Sequence, residues 1–149
     1  MLKTYWKRFL AESGKDENSA YAWSICFGMN REEADRAAER VRSGEKRAMI
    51  YPADGYRANM NRPVKPGDFI IVCDWQENPR AVVEVQRVQN LALCDITEEQ
   101  IKLEAEARNP EHWQEVRLPA IKTEVEEVCG EFSEDAELIF VEFRMVYSA

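Results

Sequence analysis

Apolar residues along the chain recur with two periods, and each period predicts an element. In TYWKRFLAE, Tyr5 and Phe9, and Trp6 and Leu10, stand four apart, the spacing of a short amphipathic helix. The polar stretch SGKDENSAY reads as a loop, and Trp23 to Phe27 as a brief apolar strand. Asn30 is placed as an N-cap with Glu33 three residues on, as in a capping box. The helix it opens carries a face of small residues, Ala34, Ala37, Ala38 and Val41, and ends at Ser43-Gly44.

From Lys46 to Tyr51 the pattern turns strand-like. PADGYRANMNRPVKPG follows as a long loop, a length associated with function or mobility. Phe69 to Cys73 forms a buried apolar run, QENP has turn chemistry, and RAVVEVQRV is the next strand, which together predict a hairpin. Thr97 with Gln100 caps a further helix, and Asn109-Pro110 restarts it. Trp113, Val116, Ala120, Ile121, Val125 and Val128 keep nearly helical spacing, and Pro119 should kink or split that segment. Cys129-Gly130 stops it, and ELIFVEFRMVY is a final, strongly apolar strand.

Four or five strands and three or four helices, out of regular βαβ order, predict an α+β domain. A small, partly open β-barrel with helices packed outside fits this order of elements. The 149 residues suit one domain, and 45% hydrophobic content is enough for a core.

Charge narrows the partners. A net charge of −8 argues against coating long double-stranded DNA, because phosphate neutralisation needs a basic surface; it leaves room for a small basic cleft. No apolar run approaches the roughly 18 residues of a membrane span, and the N-terminus lacks a signal-peptide core, so the cytoplasm is the expected location. His112 is the only histidine, and Cys26, Cys73, Cys94 and Cys129 form no C-x-x-C pair, so neither a metal site nor a cofactor is expected. Cys26, Cys73 and Cys129 have apolar neighbours and read as reduced core thiols.

The order of short motifs resembles the ASCH family (activating signal cointegrator homology) of the PUA-like superfamily. The resemblance is carried by Phe27-Gly28, a helix, SGEKRAMIY, KPGDFIIVCD, PRAVVEVQRV, DITEEQIKLEAEARNPEHW and the closing FSEDAELIFVEFRMV. It covers roughly Trp23 to Val146, so residues 1–22 are read as an N-terminal helix and loop and 23–149 as the ASCH domain. It implies a small PUA-like β-barrel flanked by helices, with a cleft that binds RNA or a modified nucleoside or nucleotide. Some bacterial members look like amidohydrolases of acetylated cytidine or like ribonucleases.

In the family the lysine of G-x-K lies in that cleft; here it is Lys46. A cation there meets a phosphate; a desolvated, neutral amine serves as nucleophile or base. The family carboxylate after the hairpin matches Glu104, which could activate water or shuttle a proton beside Lys46. The chain departs from the family pattern in three places. Met49 stands where a threonine follows the lysine, Ala105 where glycine follows the glutamate, and Arg117 where W-x-x-x-H places a histidine. Arg117 still suits a phosphate or carboxylate, but stays protonated and cannot shuttle a proton.

Tyr56, Arg57 and Arg62 of the long loop offer cations for phosphate and a ring for a base, and Trp75 at the hairpin tip is a further stacking platform. Three readings follow: a binding domain for RNA or a nucleoside, a metal-independent hydrolase using Lys46 and Glu104, and a non-catalytic protein-interaction module presenting Trp6. Oligomeric state is left open.

Overall fold

The computed structural model describes residues 1–53 and 63–148. Its strands are β1 (Trp23–Cys26), β2 (Ala48–Pro52), β3 (Phe69–Cys73), β4 (Pro79–Ala92) and β5 (Glu137–Tyr147). They form one curled sheet, a half-barrel, in the order β1-β3-β4-β5-β2. Only β1 and β3 run parallel; the other pairs are antiparallel. Bulges at Val72/Cys73, Val82/Val83 and Val85/Arg87 bend the long strands, which is how a sheet curls.

The described helices are α1 (Leu2–Glu12), α2 (Arg31–Ser43), α3 (Glu98–Glu104), α4 (Pro110–Val116) and α5 (Leu118–Cys129). None is long and apolar enough to cross a membrane. The inner face of the curl carries Ile70, Val72, Val83, Val85, Ile139, Val141 and Phe143, closed by Ala37, Ala38 and Val41 of α2. The outer face is covered twice. Tyr5, Trp6, Phe9 and Leu10 of α1 pack on Ile71 and Val82, while Ile101, Trp113, Ile121 and Val125 of α3–α5 pack on Ala48, Ile50, Leu138 and Phe140. β5 is therefore buried on both faces, which accounts for its unbroken apolar run.

Several expectations are met locally. Asn30 Oδ1 accepts from Glu33 N at 2.9 Å, with the Glu33 carboxylate accepting from Met29 N in place of the Asn30 N of a full capping box, and Thr97 and Gln100 exchange both bonds of a capping box. Pro119 splits the helix, with Arg117 at the joint. Others are corrected. The β2 ladder begins at Ala48, because Lys46 N donates to Arg40 O and Arg47 N to Leu103 O. Val116 and Val128 are exposed, since the split breaks the continuity of the apolar stripe. Cys73 is buried, but Cys26 is exposed, lying on the edge strand of the sheet; the Cys129 side chain falls outside the described set. With Trp6 at 5% and Phe9 at 1% exposure, α1 presents no aromatic handle, and the interaction-module reading loses most of its motive.

Candidate functional site

Lys46 is placed by a helix end. Gly44 closes α2 at φ 85, and the main chain of Lys46 is then tied back to Arg40. Its side chain enters a cleft of about 1010 Å³ between α2, β2 and the α3–α4 joint, yet the residue is only 2% exposed. Its Nζ donates to the Glu104 main-chain carbonyl at 2.8 Å, pairs with Glu106 Oε1 at 2.8 Å and lies 4.7 Å from the centroid of the Phe27 ring. Among the described residues, the ammonium thus has a carbonyl, a carboxylate and an aromatic ring as neighbours. Phe27 is held there by Gly28, whose φ of 89 and whose approach to Glu33 leave no room for a Cβ: it would fall 2.6 Å from the Glu33 Cβ.

The carboxylate of Glu104, 1% exposed, points elsewhere. Oε1 accepts from Trp113 Nε1 at 2.8 Å and Oε2 from Arg117 Nε at 3.0 Å. Arg117 Nη2 in turn donates to the Ile50 carbonyl at 3.0 Å, so one chain of bonds joins α3, α4 and β2. Burial pulls the Arg117 guanidinium down, but the charge and hydrogen bond of Glu104 outweigh it and leave it raised. Tyr51 lines the same cleft; burial pushes its phenol well above the ordinary range, opposed by Arg117 and reinforced by Glu124, Glu104 and Glu106.

The divergence between Glu104 and Glu106 has a backbone cause. Ala105 ends α3 at φ 58, a left-handed turn that costs an alanine about 1–2 kcal/mol. The turn sends the Glu104 side chain toward Trp113 while its carbonyl and the Glu106 carboxylate reach Lys46. Arg40 Nη1 braces the turn by donating to the Ala105 carbonyl at 2.8 Å.

A family model described as the ASCH domain matches residues 23–147. The chain belongs to the ASCH family. An ASCH domain from Lactobacillus crispatus JV V101 superposes with a TM-score of 0.84 at 22% identity, covering 99% of this chain and 96% of that one. A protein from Enterococcus faecalis V583 superposes with a TM-score of 0.85 at 24% identity, covering 100% and 96%. At such identities the likeness establishes the fold alone. No curated protein matches the sequence.

Of the residues singled out from the ASCH pattern, Lys46, Glu104 and Arg117 line one cleft, with Met49 beside them. Lys46 touches the Glu104 main chain, and its carboxylate partner is Glu106, which the sequence does not single out. Trp75 stands apart from the cleft lining: it sits in the β3–β4 turn, where its main-chain N–H donates to Asp35 Oδ1 at 3.1 Å. Tyr56, Arg57 and Arg62 lie outside the described residues. Among the described residues, the lining sets Glu33, Glu45, Glu98, Glu104, Glu106 and Glu124 against Arg36, Arg40, Lys46, Lys102, Arg108 and Arg117. Over the described lining the charge is balanced, unlike a groove that tracks a phosphate backbone.

Within the Lys46–Glu106 and Arg117–Glu104 pairs, two polar atoms remain available. Among the described residues, Glu106 Oε2 and Arg117 Nη1 have no hydrogen-bond partner, and no unpartnered side-chain nitrogen or oxygen is buried. Both atoms are therefore open, on residues that line the cleft, and they offer one anionic acceptor and one cationic donor.

Proposed function

We propose that the ASCH cleft binds a single nucleoside or nucleotide, free or as one unit of RNA. The observation that carries this reading is the pairing of open groups, Glu106 Oε2 and Arg117 Nη1, in a cleft whose principal cation is already satisfied. A nucleobase edge supplies a donor for the carboxylate, and a base oxygen or a phosphate supplies an acceptor for the guanidinium. Lys46 acts by holding Glu106 in place and by giving the pocket a fixed positive charge. A phosphate reaches Lys46 itself only by displacing Glu106. The balanced lining supports recognition of one unit over long tracks of RNA.

A second reading, a metal-independent hydrolase in the same cleft, draws on one observation. The Lys46 ammonium and the Glu106 carboxylate are an acid and a base within hydrogen-bond reach, and Phe27 shields the lysine from water. Glu104 is less suited to proton transfer, since both carboxylate oxygens are engaged by Trp113 and Arg117. Met49 supplies no hydroxyl to attack or polarise a carbonyl.

One experiment separates the readings. Wild type and Glu106→Gln are incubated with acylated cytidines, cytidine monophosphate and a pool of short RNAs. Retention is measured by equilibrium dialysis and products by chromatography. Retention of a nucleoside, nucleotide or RNA without product, weakened in the variant, is expected. Product formed by wild type and lost in the variant would make the cleft catalytic. Absence of both retention and product would overturn the two readings together.

A further inference from the structure

At the edge of the cleft, whose lining includes Cys26, two cysteines are register partners on neighbouring strands. We propose that Cys26 and Cys73 are an oxidisable dithiol, which a low-molecular-weight disulfide such as oxidised glutathione closes to an intrachain disulfide. This inference stands apart from the nucleotide reading and rests on strand register.

β1 and β3 pair in parallel, and their last residues, Cys26 and Cys73, are direct partners. Partners in neighbouring strands are about 4.8 Å apart, within the roughly 4.4–6.8 Å that separates the Cα atoms of a disulfide. Side chains alternate across a strand, and the burial pattern places this pair on one face. Trp23 and Ile25 join the inner core together with Ile70 and Val72. Cys73 faces outward with Ile71 toward α1. By the same alternation Ser24 and Cys26 face outward too. Both thiols are free.

Their unequal exposure sets the order of events. Cys26 is exposed and Cys73 is 4% exposed. The Cys26 thiolate attacks one sulfur of the glutathione disulfide, forming a mixed disulfide and releasing one glutathione thiolate. The Cys73 thiolate then attacks the Cys26 sulfur, and the second glutathione leaves. Two protein thiols are oxidised, one disulfide is reduced, and two protons are given up. Burial, with the negative charges of Asp74 and Glu77, holds both thiols above the ordinary value, Cys73 at about 11, so the exchange is slow and calls for hours of incubation. The product staples the edge strand β1 to β3 immediately before Phe27, the ring that lies over Lys46.

The test uses the full chain, reduced and then incubated with oxidised glutathione. Remaining thiols are alkylated, and peptides are mapped by mass spectrometry without reduction. A peptide pair joined through Cys26 and Cys73 is expected in wild type. In Cys73→Ser, exchange should halt at a stable glutathione adduct on Cys26. The proposal is overturned if wild type also stops at that adduct, if Cys26 pairs instead with Cys94 or Cys129, or if Cys26 and Cys73 remain fully alkylated while exposed Cys94 reacts.

Discussion

Lys46 and Glu104 meet through the main chain: the Lys46 ammonium donates to the Glu104 carbonyl at 2.8 Å, while the Glu104 carboxylate is held by Trp113 and Arg117. The lysine's charge is answered by Glu106. Two ion pairs, Lys46–Glu106 and Arg117–Glu104, therefore share one wall of the cleft, and each is tied to the backbone of another element.

Such pairs cost most when half of one is removed. Lys46→Met leaves Glu106 without its partner and the Glu104 carbonyl without a donor, and should lower the unfolding free energy by about 2–4 kcal/mol. Urea denaturation measures the loss. Lys46→Met combined with Glu106→Gln should recover part of it, because the stranded charge is gone.

The turn at Ala105 makes the opposite prediction. Its φ of 58 is a conformation that glycine adopts freely. Ala105→Gly should stabilise the fold by about 0.5–1 kcal/mol, the relieved strain minus the entropy that glycine gains in the unfolded chain. Equilibrium unfolding reads the gain, and the direction of Glu106 should be unchanged.

How much of this was legible in the sequence depends on distance along the chain. The caps at Asn30 and Thr97 and the split at Pro119 depend on residues three or four apart, and the pattern showed them. That Lys46 lines the cleft came from family resemblance. Glu106 as its partner did not, because the pair forms only when α3 returns beside the end of α2. The signal that bears on it is the alanine where the family pattern has glycine. A left-handed turn at that point decides which of two nearby acids faces the lysine. Cys26 was misread because apolar neighbours say nothing about whether a strand lies at a sheet edge.

Glu124 supplies a dependence on pH. Burial raises its carboxyl above the ordinary value, with Glu127 adding and Arg117 opposing. A carboxyl raised in the folded state favours folding when protonated. That contribution is fully present below the unfolded value of about 4.3 and is lost as pH rises through the higher folded value. Glu124→Gln should therefore raise Tm at neutral pH, and the difference from wild type should shrink as pH falls through that window. Thermal melts across the acid range check it.

Packing of α1 predicts that the first residues belong to the same folded body as the sheet. Phe9 is 1% exposed against Phe69 and Tyr147. Phe9→Ala should cost about 3–5 kcal/mol, with one cooperative transition in denaturant. A separate early transition for α1 would contradict a shared core.

The central claim is that the open atoms of Glu106 and Arg117 receive one nucleotide unit. The most direct measurement is isothermal titration of cytidine, cytidine monophosphate and an acylated cytidine into wild type, Glu106→Gln and Arg117→Gln, with circular dichroism confirming the fold of each. The account predicts saturable one-to-one binding by wild type of at least one ligand, weakened about tenfold or more by either substitution, as loss of a charged hydrogen bond implies. No binding by wild type, or binding that neither substitution alters, would contradict it.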